Sequence, residues 1–84
     1  MAVVSLLYDH HKRELSERLI ELQHSKNQIV LSSTHIHLDP HNCIEVIIMR
    51  GLSQEVKQLA DTLIATKGVK HGTIEMSSTG KNLD

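Results

Sequence analysis

Residues 28–51, QIVLSSTHIHLDPHNCIEVIIMRG, decide how this chain folds. Successive side chains of a strand point to opposite sides. Over 28–38 that rule puts Ile29, Leu31, Ser33, His35 and His37 on one face and Val30, Ser32, Thr34, Ile36 and Leu38 on the other. Asp39, Pro40 and Asn42 bring turn formers together, and CIEVIIMRG, residues 43–51, is apolar and β-branched enough for a central strand. The two strands read as a hairpin. If His37 stands opposite Cys43, then His35 stands opposite Glu45, and directly opposed residues share a sheet face. Two imidazoles, a thiol and a carboxylate then gather on that face.

Upstream, AVVSLLY, residues 2–8, is an apolar run too short for a helix and suited to a buried strand. Asp9 is a good N-cap type, and residues 9–24 carry Leu15, Leu19 and Leu22 at helical spacing among charges, an amphipathic helix ending near His24 or Lys26. Downstream, Ser53 is set to cap a second helix over 53–67, with Val56, Leu59, Ala60, Leu63 and Ile64 as its core stripe and Gly68 as its stop. VKHGTIEM, residues 69–76, reads as the last strand, and Gly72 within it marks a bulge or a close backbone approach. The order β-α-β-β-α-β predicts an α+β, ferredoxin-like fold, a four-stranded antiparallel sheet with two helices on one face. Residues 1–77 are expected to form that domain, and 78–84 a flexible polar tail.

An 84-residue chain sits near the lower limit for a core that stabilises itself alone. One cysteine excludes an internal disulfide, which leaves a metal or self-association as the extra support. Apolar strand residues on both faces favour a second copy against the open side of the sheet. Nine Lys and Arg against ten Asp and Glu, scattered along the chain, give no footprint for nucleic acid. No apolar run approaches the ~20 residues of a membrane helix, and the start lacks a secretory n-region. The expectation is a cytoplasmic protein with a reduced thiol.

Seven histidines are more than a core asks for. A His-x-His pair on a strand is more often solvated than functional, and a lone cysteine is most often a small buried hydrophobe. Together on one hairpin, His35, His37 and Cys43 point instead to a borderline metal ion, for which imidazole and thiolate are suited ligands. A fourth donor must come from elsewhere, and His24 at the end of the first helix is a candidate. Tetrahedral zinc is the default on this reasoning, and Ni(II) or Cu(II) would follow only if the donors lie in a plane. His41 reads as a turn residue with a lesser claim to ligation, His10 and His11 as neutral or solvent-facing at a helix start, with weak metal binding open to either, and His71 as part of the last strand.

These residues resemble the C-terminal metal-sensing domain of the nickel-responsive transcriptional regulators (NikR). YDHHKREL, residues 8–15, looks like that family's first-helix start, and LQH, 22–24, like its helix end. STHIHLDPHNCIEVI, 33–47, looks like its H-x-H-x₅-C segment, and ATKGVKHGTIEM, 65–76, like its final helix-to-strand passage. The resemblance implies that His35, His37 and Cys43 are nickel ligands from one subunit. It implies that His24 completes a square-planar N₃S site from a neighbouring subunit, with Tyr8 and Glu45 close behind. It further implies an ACT-like tetramer, and control of nickel uptake by a repressor whose operator DNA is bound by an N-terminal ribbon-helix-helix domain. Nothing in this chain resembles that domain, so the chain reads as a fragment of such a protein. Cu(II) and Zn(II) are expected competitors. At the turn, Pro40 and His41 depart from more acidic or His-first variants of the family, which bears on the turn and on any auxiliary metal site.

Two other classes compete. An ACT-like module could bind an amino acid at a subunit interface, with the histidines incidental. A metal-dependent hydrolase would need an open coordination position beside a base such as Glu45, which a closed four-donor site does not leave.

Overall fold

Every second side chain is buried in the two central strands, β1 (Ala2–Asp9) and β3 (Asn42–Met49). Ala2, Val4, Leu6 and Tyr8 come from one, and Cys43, Glu45, Ile47 and Met49 from the other. The strands pair antiparallel with Leu6 opposite Glu45 and Tyr8 opposite Cys43, so these side chains form a single face. The computed structural model describes residues 1–76; the tail expected over 78–84 lies outside them. β2 (Val30–His37) flanks β3 and β4 (Val69–Met76) flanks β1, giving the order β2-β3-β1-β4.

Two helices cover the buried face, α1 (Arg13–Ser25) with Leu15 and Leu19, and α2 (Ser53–Ile64) with Val56, Leu59, Ala60 and Leu63. Gln23 of α1 reaches Glu45, while Ile64 of α2 lies over Gly72, the residue opposite Leu6 on β1. Both helices therefore lie on the same side, and the fold is the expected ferredoxin-like βαββαβ arrangement. Gly72 marks the close approach: a Cβ there would sit 2.7 Å from Ile64 Cγ1.

Three local expectations are corrected. Asp9 does not cap the first helix. It is the last residue of β1, paired with Asn42, and α1 starts at Arg13 after a turn, with Lys12 in the cap position and no side-chain cap. The sheet ladder claims Asp9, and its carboxylate accepts the His11 N–H at 2.9 Å. Ser53 is likewise the first helical residue rather than the cap, a position held by Leu52, and α2 ends at Ile64 rather than Lys67. There the backbone tightens, Thr66 donating to the Leu63 carbonyl, before Gly68 turns the chain into β4 at φ 103° against Leu15. Finally, Leu31 does not share the face of His35. The register shifts between Val30, opposite Met49, and Ser32, opposite Ile48, which leaves Leu31 as the extra residue of a bulge and puts Val30 on the buried side.

The face away from the helices carries Val3 and Leu7 of β1, Ile36 of β2, and Ile44, Val46 and Ile48 of β3. Val3 and Ile36 are exposed and the others half-buried. Apolar side chains thus stand on both faces of the sheet.

Candidate metal centre

The hairpin register is the expected one: His35 stands opposite Glu45, and His37 opposite Cys43. All four residues belong to the helix-covered face, but their surroundings differ. Cys43 and Glu45 lie on a central strand and are 0% and 2% exposed. His35 and His37 lie on the edge strand and are exposed.

A carboxylate in a core is costly unless its oxygens are paired, and Glu45 is well supplied. Oε1 accepts from Tyr8 Oη at 2.8 Å, and Oε2 accepts from Gln23 Nε2 at 2.8 Å and Ser33 Oγ at 2.6 Å. His35 Nε2 stands 3.3 Å from Oε1. Side chains of β1, α1 and β2 thus meet at one carboxylate. Burial, and then the Glu45 hydrogen bond, push the Tyr8 phenol well above its ordinary range, so it remains a donor. An imidazole held through one nitrogen by a carboxylate can offer the other to a metal. Tyr8 and Glu45 therefore stand where groups that orient a ligand would stand.

Burial also pushes the Cys43 thiol up, with the Glu45 charge adding to the effect and contact with the Tyr8 hydroxyl opposing it. The thiol is protonated at neutral pH, and an ion that takes the sulfur must displace that proton. The His37 ring stacks on His10, centroids 4.6 Å apart and planes within 3°. His10 Nε2 is buried without a hydrogen-bond partner among the described residues.

The expected ligands are aligned but not drawn together. Among the described residues, the three metal-ligand atoms that lie within 4.8 Å of one another belong to Asp9, His11 and His41, not to His35, His37 and Cys43. His24 lies in the last turn of α1, beside Gln23, and lines a shallow depression with Asn27 and Val30. It joins no such group among the described residues. By local chemistry Asp9 is a cap type, His11 belongs to a helix start and His41 to a turn; the pairing of Asp9 with Asn42 is what unites them. His71 lies opposite Leu7 on the open face, apart from both groups. The donors nonetheless suit nickel chemically. Neutral imidazole and thiolate ligate borderline ions, and the two histidines stand on an exposed edge where their rings can turn.

Comparison with known proteins follows the same line. Residues 1–77 match the family described as the NikR C terminal nickel binding domain. Proteins named as nickel-responsive regulators are similar to this chain. One from Geobacter sulfurreducens is 52% identical over 99% of this chain and 60% of its own length. One from Geotalea uraniireducens is 51% identical over the same shares, and one from Nitratidesulfovibrio vulgaris is 49% identical over 95% of this chain and 58% of its own. The chain thus spans about three-fifths of the length of the curated relatives it matches. No helix among the described residues is long and apolar enough to cross a membrane.

Proposed function

The chain belongs to the NikR C-terminal nickel-binding domain family, and from that premise we propose that it is the Ni(II)-sensing part of a cytoplasmic, non-enzymatic transcriptional repressor that controls nickel uptake. His35, His37 and Cys43 of one subunit, with His24 of a second, hold the ion. The observation that carries this reading is the hairpin register, His37 opposite Cys43 and His35 opposite Glu45, on a face where the carboxylate is already saturated with donors.

Each residue has a part in this reading. Cys43 gives up its proton to become the thiolate ligand, and its buried position keeps competing water from the sulfur. His35 is oriented through Glu45, which is itself fixed by Tyr8, Gln23 and Ser33. His37 swings from its stack on His10 towards the sulfur. Gln23 ties the last turn of α1 to Glu45, so the turn that carries His24 is coupled to the same carboxylate. Bound nickel supplies a cross-link between subunits, biasing the assembly towards one of its arrangements.

Self-association into a tetramer belongs to this proposal. The apolar open face of the sheet supports it, since an uncovered strand face of this kind ordinarily meets another layer or another copy. DNA is bound only through a ribbon-helix-helix domain elsewhere in the full-length protein.

The test is a Ni(II) titration of the reduced protein followed by absorption spectroscopy. Nickel should bind with a thiolate charge-transfer band that Cys43→Ser abolishes and that His24→Ala weakens. Weak, colourless binding indifferent to both substitutions would remove the shared site and leave the small-molecule reading in front.

A further inference from the structure

We propose that the open face of the sheet pairs with the same face of a second copy about a two-fold axis that runs across the strands, so that His71 of each copy meets Glu75 of the other. This deepens the self-association proposed above and rests on it.

Three cross-strand rows make up the face. Pairing on either side of β1 sets Ile44, Leu7 and His71 in one row, Val46, Ser5 and Thr73 in the next, and Ile48, Val3 and Glu75 in the third. From β2, Ile36 joins the first row, Thr34 the second and Ser32 the third. Directly opposed residues share a face. Among the described residues, His71 and Glu75 are the only titratable side chains in these rows, and both are exposed. They flank Thr73 symmetrically on one edge strand. The strand between them, at ~3.3 Å per residue, holds them about 13 Å apart, beyond hydrogen-bond reach within one chain.

A two-fold across the strands, passing over the middle row, reverses the order of the rows. The row that carries His71 then lies on the partner's row that carries Glu75. Leu7 meets Val3, Ile44 meets Ile48, Val46 meets its own copy, and each imidazole meets a carboxylate, to which its N–H can donate in either protonation state. Packed sheets stand about 10 Å apart, a gap that a histidine and a glutamate reaching from the two sides can close. The alternative two-fold, along the strands, would lay β4 over the partner's β2, with His71 against Ile36 and Glu75 against Ser32. That leaves the carboxylate without a cation and the imidazole on an aliphatic side chain. Charge complementarity therefore selects the first axis, and a closed dimer contains the pair twice.

Sedimentation and native mass spectrometry of the 84-residue chain test this arrangement, with metal removed so that no ion cross-links the copies. His71→Glu sets carboxylate against carboxylate, and Glu75→Lys sets an ammonium against the imidazole; each should weaken self-association by about tenfold. Mixing the two variants is the decisive step. In a mixed dimer the new glutamate of the first variant meets the new lysine of the second, while the second variant's His71 meets the first variant's Glu75. Both contacts are then favourable, and association should return to near the wild-type level. Such recovery has to act between copies, because positions 71 and 75 are too far apart to compensate within one chain. Association that neither substitution changes, or two weakened variants that do not recover on mixing, would overturn this arrangement and leave self-association standing. A wild-type chain that stays monomeric at every concentration would overturn both, and leave the face to a different partner.

Discussion

β2 and β3 are hydrogen-bonded neighbours of equal length, yet they are built on opposite terms. β3 runs between two strands and buries every second side chain, so Cys43 and Glu45 are fixed by the same packing that fixes Ile47 and Met49. β2 is an edge strand, exposed from Leu31 to His37, and its histidines are held by the ladder, by Glu45 and by the stack with His10. The difference teaches how a small sheet can make a responsive site. One wall is core and pre-built; the other is exposed, and in the proposed site it is the one that would close on the ion.

The largest effect that separates the two walls is the pH dependence of nickel affinity. The thiol is pushed up by burial, so its proton must be displaced at every pH below its own range. That alone costs affinity about tenfold per pH unit. Imidazole ligands must also be neutral, so protons compete with the ion for them as well. Affinity should therefore fall with a slope of at least one, by at least about 100-fold from pH 7 to 5. A competition titration with a chelator across that range checks it, and a flat profile would exclude this ligand set.

Packing gives the next contrast. Ile47→Ala, at a site 0% exposed, should cost about 2–5 kcal/mol in denaturant unfolding. Ile36→Ala, 49% exposed on β2, should cost less than about 0.5 kcal/mol if its face is open. A larger loss at Ile36 that grows with protein concentration would instead report that a second copy covers the face, as the proposed assembly requires.

Glu45 joins the walls, and removing it should have an intermediate effect. Glu45→Leu leaves the buried Tyr8 hydroxyl without its partner, a loss of roughly 1–3 kcal/mol, while Ser33 and Gln23, less buried, can turn to water. Nickel affinity should fall by about 10–100-fold as His35 loses its orientation. Unfolding and nickel titration of one variant read both. Lost stability with unchanged affinity would make Glu45 a core residue only.

The same contrast explains what was legible in the sequence. The order of elements could be read because alternation and helical stripes are strong where one face is buried, as in β1, β3 and α2. The hairpin itself was legible from the turn formers, whereas its register, His37 opposite Cys43, was an assumption that the strand pairing matches. The misreadings fall where tertiary pairing overrides local chemistry. Asp9 has the chemistry of a cap but is claimed by the ladder with Asn42. Leu31 fits the alternation of β2, but a bulge takes it out, and an exposed edge strand has no buried face to announce the slip. The Asp9, His11 and His41 group was hidden for the same reason, since its members come from two turns that only the β1–β3 pairing brings together. The grouping of His35, His37 and Cys43 was visible because all three belong to one hairpin.

The smallest predicted effect concerns the turn that links the two walls. Asp39 Oδ1 accepts from the backbone of His41 and Asn42, and these bonds hold its carboxyl at about 2, below the ordinary value of 3.8. A folded-state pKa below the unfolded one means that the carboxylate's contribution is present above about pH 4 and is lost as pH falls towards 2. Asp39 is exposed, so Asp39→Ala should lower the thermal midpoint less than either core substitution. The gap from wild type should shrink as pH drops through that window. The consequence for the metal should exceed the consequence for stability, because Asp39 fixes the path between His37 and Cys43. If nickel binding weakened no more than stability did, the turn would be a mere connector, and the register of the two strands would be set by their cross-strand pairs alone.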